Sequence, residues 1–313
     1  MMNQLQFDIG QYIAKSRMSE KKRLLVEGKE DKDHISNLLQ KLGLNKNVII
    51  DVAENIRGSC NVTKRNNRAK IDKIHEACKK ENKIENLFFL IDREFLKFQI
   101  DSDVKDLMKS HETDENLSWT IGHSFENYFL KEKILTDAFR FLSGSSHKND
   151  ALILFSGIRK KAIRLIASIT LAAKEMEKCS YPAGVIAWSD FEIAADTLSL
   201  NFQSIIEREQ SVPANEFSLI ATKYIGILIG ADEDTCERIC RGHTALIIMQ
   251  RVFAACLYSV ISTTDTDLTR REAHNFNQHK ELVVSGALSE AWVRFISLSS
   301  ENDYPSNVVR LIQ

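Results

Sequence analysis

Two short apolar runs, each followed at once by acidic residues, limit what this chain can fold into. Leu24-Leu25-Val26 precedes Glu27, and the run at 87–91 precedes Asp92 and Glu94. Such runs are too short for a helix of their own and are typical of strands buried on both faces of a parallel sheet. Ligands bind beyond the carboxyl ends of these strands, so we expect the acids to converge at one edge of the sheet.

Strand and helix patterns alternate through the first part of the chain. Strands are predicted at 23–26, 48–52, 87–91 and 118–122, with helices at 31–42 and 67–80. This alternation predicts an α/β fold with a right-handed, mainly parallel sheet. From Lys131 onward the apolar residues recur at helical spacing. We therefore predict an α/β domain over 1–130 and a mostly α-helical domain over 131–313 that serves dimerisation or partner binding.

The composition favours a soluble protein of the cytoplasm. The six cysteines show no paired framework, and the first residues lack the basic-then-apolar pattern of a secretory signal. No apolar run reaches the roughly 20 residues that a membrane-spanning helix needs. We expect a cytoplasmic location and no membrane contact.

The formal net charge of −1 hides a basic stretch in the first half of the chain. Residues 57–83 hold nine Lys or Arg and three Asp or Glu. This stretch is either a surface that faces phosphates or the solvated face of a helix. The candidate nucleic-acid contacts are Arg57, Lys64, Arg65, Arg68 and Lys70.

The strand-end acids have the spacing of a cation site. Glu27 and Asp31 are four residues apart, and Asp92 and Glu94 are two apart, so the last two lean the same way if the extended backbone continues. Mg²⁺ prefers a few carboxylates, with water and phosphate oxygens completing its octahedron. The candidate ligands are Glu27, Asp31, Asp92 and Glu94, for Mg²⁺ with Mn²⁺ as its substitute. The alternative is that these acids are solvated residues at the ends of strands.

These motifs resemble a known family. Val26-Glu27-Gly28 with Asp31, followed by Ile91-Asp92-Arg93-Glu94-Phe95, looks like the two acidic motifs of the TOPRIM fold shared by topoisomerases, primases and OLD-family nucleases. The segment Ser124-Phe125-Glu126-Asn127-Tyr128-Phe129-Leu130 narrows the resemblance, together with Arg241-Gly242-His243 in a helical region. That combination is similar to the AriB family, the TOPRIM nuclease effectors of PARIS anti-phage defence systems.

The resemblance implies four catalytic acids: Glu27, Asp92, Glu94 and Glu126. Glu27 matches the general acid/base or metal-binding glutamate, and Asp92 matches the first aspartate of an Asp-x-Asp motif. Glu94 stands where the second aspartate would be and is one methylene longer, which shifts the geometry of that ligand. Glu126 matches the glutamate of a Glu-Asn-Tyr motif and is expected to complete the site from the next strand. Its alternative is an acid at a helix start, favoured by the helix dipole.

The resemblance also implies an activity and partners. The chain would be a Mg²⁺-dependent phosphodiester hydrolase, an endoribonuclease that cleaves host tRNA as the toxin effector of abortive infection. An AriA-like ABC-type ATPase would hold it until a phage trigger releases it as a homodimer. Two alternatives stay open: a DNA-nicking nuclease of OLD type, and a non-catalytic interaction subunit of the ATPase complex, motivated by the departure at Glu94. The chain has no phosphate-binding Gly-rich loop, so ATP hydrolysis would come from the partner.

Overall fold

The computed structural model of the chain describes residues 6–80, 84–195, 197–261, 266–297 and 300–313. Its contacts divide the chain into two compact units. Unit 1 comprises Met1–Arg93, Met108–Ile121 and Ile296–Gln313, and unit 2 comprises Glu94–Leu107 and Gly122–Phe295. This division differs from the predicted boundary at residue 130, because the chain leaves unit 1 for residues 94–107, leaves it again after Ile121, and returns to it after Phe295.

Strands and helices alternate early in the chain and helices prevail afterwards. The strands are β1 (Phe7–Asp8), β2 (Lys22–Val26), β3 (Val48–Val52), β4 (Ile56–Arg57), β5 (Leu87–Ile91), β6 (Phe98–Ile100), β7 (Val104–Asp106), β8 (Thr113–Asp114), β9 (Leu117–Trp119), β10 (Phe191–Ala194) and β11 (Thr197–Leu200). The α-helices are α1 (Ile9–Arg17), α2 (Lys29–Lys41), α3 (Asn61–Arg65), α4 (Asn67–Lys80), α5 (Glu132–Leu142), α6 (Lys148–Glu175), α7 (Tyr181–Val185), α8 (Phe202–Glu209), α9 (Val212–Ile227), α10 (Glu233–Ile239), α11 (Gly242–Ile261), α12 (Thr266–Asn277), α13 (Glu281–Phe295) and α14 (Ser306–Ile312). Short 3-10 helices lie at Ala53–Asn55, Phe125–Phe129, Trp188–Asp190 and Leu228–Gly230. The prediction of an α/β fold followed by a largely helical region is confirmed.

Unit 1 is built on a five-stranded sheet with the strand order β3-β2-β5-β9-β8. β2 pairs in parallel with both β3 and β5, and β5 pairs in parallel with β9. Only the edge strand β8 runs antiparallel to its neighbour. The prediction of a mainly parallel sheet is confirmed, and β2 and β5 lie side by side at its centre.

The core of unit 1 explains why these short runs become strands. All five residues of β5 are buried, as expected for a strand covered on both faces. Helix α4 contributes Ile71, Ile74 and Cys78 to the same core, from one face at helical spacing. The last helix, α14, also packs against β5, which the sequence pattern did not predict. Asn307 anchors it by donating a hydrogen bond to the Glu112 carbonyl at 3.0 Å.

Unit 2 is held together by long helices and a cluster of phenylalanine rings. Helix α11 packs against α6 and α12. The rings of Phe139, Phe155, Phe253 and Phe276 lie with centroid separations between 4.7 and 5.7 Å. Edge-to-face pairs at these distances add to the stability that the buried apolar area already provides.

One helix within the described residues is long and apolar enough to cross a membrane. It covers Gly242–Val260 in α11, and 67% of that window is buried inside the fold. Burial of this extent is typical of the core helix of a soluble protein, so the finding is consistent with the expectation of a soluble chain.

Candidate active site at the carboxyl ends of the central strands

The carboxyl ends of β2 and β5 bring two of the predicted acids into contact. Glu27 directly follows β2, and Asp92 directly follows β5. The backbone N–H of Asp92 donates a hydrogen bond to Oε1 of Glu27 at 3.1 Å. Because the two strands are adjacent and parallel, their ends meet at one edge of the sheet, as predicted.

A basic side chain from α4 completes this contact. Nη1 of Arg68 donates to the Asp92 carbonyl at 2.6 Å and lies 3.7 Å from Oε1 of Glu27. Nε of Arg68 also pairs with Asp72 at 3.1 Å. The side chains of Arg68 and Glu27 are 26% and 24% exposed, so both remain accessible to a bound molecule. We call Glu27, Arg68 and Asp92 the strand-end cluster.

Gly28 directly precedes helix α2 beside this cluster and has two further acids around it. Oδ2 of Asp31 accepts a hydrogen bond from the Gly28 N–H at 2.8 Å. Asp31 therefore caps the start of α2, a role that acids of the first turn commonly have. Oε1 of Glu54 lies 3.6 Å from the point where a β-carbon on Gly28 would stand. Glu54 was not among the predicted site residues, although it follows the predicted second strand by two residues.

The donor chemistry of this edge fits a hard cation. Glu27 and Asp92 carry carboxylate oxygens, and Mg²⁺ is usually held by one or two protein carboxylates together with substrate phosphates. In the part of the chain that the structure describes, no three His, Cys, Asp or Glu side chains are grouped closely enough to hold a metal ion on their own. A cation at this edge would therefore depend on water and phosphate oxygens for most of its ligands.

Glu94 departs from the geometry that the sequence predicted. Strand β5 ends at Ile91, and Glu94 has a φ of 51°, in the left-handed region that non-glycine residues rarely adopt. Its N–H donates to the His123 carbonyl at 2.7 Å. The condition on which the Asp92 and Glu94 side chains would lean the same way, an extended backbone, is therefore not met at Glu94. Glu94 belongs to unit 2, whereas Asp92 belongs to unit 1.

Glu126 was expected on a strand. In the structure it lies in the 3-10 helix Phe125–Phe129 of unit 2. Its Oε2 accepts a hydrogen bond from the Ser124 hydroxyl at 2.6 Å, and the Ser124 hydroxyl oxygen in turn accepts one from the Gly242 N–H at 3.2 Å. Gly242 is the first residue of α11, so the carboxylate lies at the start of a 20-residue helix, where the dipole favours a negative charge. This contact gives Glu126 a structural role within unit 2.

The same contact explains why the Arg241-Gly242-His243 motif has a glycine at its centre. A β-carbon on Gly242 would stand 2.5 Å from Oε2 and 2.8 Å from Cβ of Glu126. No side chain fits there without displacing Glu126. The motif thus allows α11 to begin directly against the Ser124–Glu126 segment.

Asn127 fastens the same segment to helix α10. Its Nδ2 donates to the carbonyls of Glu237 at 2.7 Å and Cys240 at 2.9 Å, and its Oδ1 accepts from the Ser124 N–H at 2.8 Å. Both carbonyls belong to the end of α10, where helical carbonyls lack partners within the helix. Glu126 and Asn127 of the motif therefore connect the start of α11 with the end of α10.

Gly122→Ala is expected to destabilise unit 2 by about 3 kcal/mol, at the upper end of the cost of overpacking. The added β-carbon would stand 2.4 Å from Cβ and 2.6 Å from Cγ of Asn127, atoms that cannot rotate away without breaking the contacts to α10. Urea denaturation measures the change. Gly157→Ala is the matched control, because nothing lies within 4 Å of its β-carbon position and alanine favours the helix. Equal midpoints for the two variants would contradict the prediction.

The basic stretch divides between exposed and buried side chains. Arg57, Lys64 and Arg65 are exposed. Lys70 is a correction to the predicted set, because its residue is 5% exposed and its ammonium donates to the Ala53 carbonyl at 2.9 Å. Burial lowers the pKa of Lys70, against an opposing effect of the Glu54 charge. Lys70 thus supports the loop after β3 and does not present its charge to solvent.

Comparison with family models and with curated proteins identifies no family for this chain. No model of a protein family matches the chain, and no curated protein matches it. The resemblance to TOPRIM nucleases therefore rests on the acidic motifs of the sequence.

Proposed function

We propose that this chain is a TOPRIM-type nuclease, a Mg²⁺-dependent phosphodiester hydrolase whose active site is the strand-end cluster of unit 1. The observation that carries the proposal is the contact between the Glu27 carboxylate and the Asp92 N–H. It joins the acidic motifs of two adjacent parallel strands at the sheet edge where α/β folds bind ligands.

The residues of the cluster suit the separate tasks of phosphodiester hydrolysis. Glu27 and Asp92 would hold the cation, and water and phosphate oxygens would complete its ligands. When bound, Mg²⁺ makes water a better nucleophile and stabilises charge on the phosphate. Glu27 would orient that water or take its proton as the water oxygen attacks phosphorus. The P–O bond to the leaving nucleoside then breaks, and the leaving oxygen takes up a proton.

Arg68 is the group best placed to bind the scissile phosphate. Its guanidinium lies beside Glu27 and is partly exposed. Hydrogen bonds from a guanidinium to phosphate oxygens are charge-assisted and can be bidentate, which orients the phosphate as well as attracting it. Such donors stabilise the charge that develops on the phosphate in the transition state.

The substrate and partners follow from the resemblance. We propose host tRNA as the substrate and an AriA-like ABC-type ATPase as the partner that restrains a homodimeric toxin of anti-phage defence. The exposed residues Arg57, Lys64 and Arg65 supply positive charge for a phosphate backbone. DNA presents the same phosphates, so nicking of DNA is the alternative outcome of the assay below.

The test combines cells with purified protein. RNA ends are sequenced after brief expression of the chain, beside Glu27→Ala and the control Asp33→Asn, which removes an exposed acid of the neighbouring helix α2. The purified proteins are then incubated with tRNA and with plasmid, with Mg²⁺ or EDTA. Discrete tRNA breaks that require Mg²⁺ and Glu27 are expected. Nicked plasmid together with intact RNA would indicate that the substrate is DNA and not tRNA.

One observation favours a second candidate, a non-catalytic interaction subunit. Arg68 already places a positive charge 3.7 Å from Glu27, which can stabilise the fold in place of a metal ion. On this hypothesis, toxicity or ATPase binding would survive Glu27→Ala unchanged, and no cleavage would be detected with either polymer.

The double charge reversal Lys64→Glu/Arg65→Glu is expected to weaken RNA binding about tenfold at physiological salt, because both side chains are exposed beside the start of α4. The slope of log affinity against log salt should also decrease, since fewer counterions are released. Fluorescence anisotropy with labelled tRNA measures both. Lys41→Glu/Lys46→Glu makes the same charge change at exposed positions outside the stretch and is the control. If both double variants weakened tRNA binding equally, Lys64 and Arg65 would have no specific role in the RNA interface.

A further inference from the structure

Unit 2 contains a cavity of about 430 Å³ with aromatic walls. Its residues come from the 3-10 helix Trp188–Asp190, strand β10 and helices α11 and α12, and they are Trp188, Ser189, Phe191, Ala255, Tyr258 and Arg270. The volume lies within the range of roughly 300–1,000 Å³ that is usual for small-molecule sites. We call it the aromatic cavity.

The aromatic residues form a wall against which a planar ligand can stack. The rings of Trp188 and Tyr258 have centroids 5.4 Å apart and are tilted by 52°, so they already contact each other. A planar ligand would therefore stack on the open face of this pair and not between the rings. Stacking of a nucleobase on an aromatic side chain is worth about 1–3 kcal/mol and tolerates every base.

The polar side chains that line the cavity indicate the charge of the ligand. They are the Ser189 hydroxyl and the Arg270 guanidinium, with no acid or amide among them. Among the described residues that line the cavity, none carries a carboxylate that would attract a cation. Within the described part of the chain, Arg270 has no ion-pair partner, so its charge is available to an anion.

The buried acid next to Ser189 in the sequence is already paired with another cation. Asp190 follows Ser189 and is fully buried, but both its oxygens accept hydrogen bonds from Arg208, at 2.8 Å each. This bidentate pair neutralises Asp190 locally. The cavity therefore combines an aromatic surface with an unmatched positive charge.

We propose that the aromatic cavity binds a nucleoside phosphate, with the base stacked on Trp188 and Tyr258 and the phosphate bound by Arg270. The ligand is either a free nucleotide or one nucleotide unit of a single-stranded RNA, since both present the same base and phosphate. Because all the residues involved belong to unit 2, the inference stands independently of the strand-end cluster.

The ligand is tested by calorimetric titration of the full chain in EDTA with adenosine 5′-monophosphate, adenosine, inorganic phosphate and a short oligoadenylate. The monophosphate is expected to bind at a single site at least about tenfold more tightly than adenosine, as a charge-assisted contact implies. An oligoadenylate that binds a further tenfold more tightly would identify RNA as the source, and equal affinity would identify the free nucleotide. Absence of binding by both the monophosphate and the oligoadenylate at millimolar concentration would overturn the proposal.

Variants assign the binding to this cavity. Arg270→Gln should weaken the monophosphate about tenfold while leaving adenosine unchanged, and Trp188→Leu should weaken both. Arg271→Gln removes the neighbouring exposed charge, which does not line the cavity, and is the control. Glu27→Ala should bind as the unaltered chain does, which separates this inference from the proposed nuclease activity. Equal affinities for Arg270→Gln and Arg271→Gln, with circular dichroism showing intact folds, would also overturn it.

Discussion

Glu27→Gln is expected to lower metal-dependent cleavage by about a thousandfold or more, equivalent to about 4 kcal/mol of transition-state stabilisation. Glutamine keeps the size of the side chain and an oxygen that accepts the Asp92 N–H, the contact measured at 3.1 Å. It removes the negative charge that would hold a cation and take a proton from water. The variant therefore separates the chemistry of Glu27 from its structural contact.

The stability of Glu27→Gln should remain within about 1 kcal/mol of the unaltered chain, because a partly exposed ion pair such as Glu27–Arg68 contributes about 0–1 kcal/mol. Initial rates of tRNA cleavage and urea denaturation measure the two effects. Calorimetry with Mg²⁺ should show weaker binding, whereas Asp33→Asn should match the unaltered chain in all three measurements. If the tRNA cleavage rate of Glu27→Gln were within a few fold of that of the unaltered chain, the strand-end cluster would not be the active site.

The central sheet was predictable because its signals are local. The bounds of β3, α4 and β5 were predicted to the residue, since an apolar run or a helical period is visible within each segment itself. Helix α2 begins at Lys29, two residues earlier than predicted, because Asp31 caps the helix from inside its first turn. The convergence of Glu27 and Asp92 follows from the parallel pairing of their strands.

The parts that sequence reasoning missed depend on long-range packing. Nothing in the sequence of α14 indicates that it returns to unit 1 and packs against β5. The left-handed backbone at Glu94 has no glycine to indicate it, so continued extension was the default expectation. Lys70 belongs to a basic run that predicts exposure, and only the fold places its ammonium on a buried carbonyl. Such contacts are decided by neighbours that are distant in sequence.

Arg159 is the residue whose loss is expected to destabilise unit 2 most. It is 4% exposed, and its guanidinium donates to the Leu130 carbonyl, to Glu233 at 2.5 Å and to Glu237 at 2.6 Å. The other oxygen of Glu237 pairs with Lys131 at 2.8 Å. A buried guanidinium with this many partners fixes the segment after the Glu-Asn-Tyr motif against α10.

Arg159→Met should lower the free energy of unfolding by about 3–5 kcal/mol, because it leaves the buried Glu237 carboxylate without its main partner. Lys160→Met is the matched control: Lys160 pairs with Glu233 at 3.0 Å but is 75% exposed, so its loss should cost at most about 1 kcal/mol. Denaturation in urea compares the two.

The double variant Arg159→Met/Glu237→Met decides whether the cost arises from the uncompensated charge or from lost packing. Apolar side chains of similar volume often replace a buried ion pair at little cost, so the double variant should recover most of the stability that Arg159→Met loses. Lys131, whose side chain is 44% exposed, can then turn its ammonium to solvent. A double variant as unstable as Arg159→Met would show that Arg159 acts chiefly through the Leu130 carbonyl and Glu233, since those are the contacts that both variants lack.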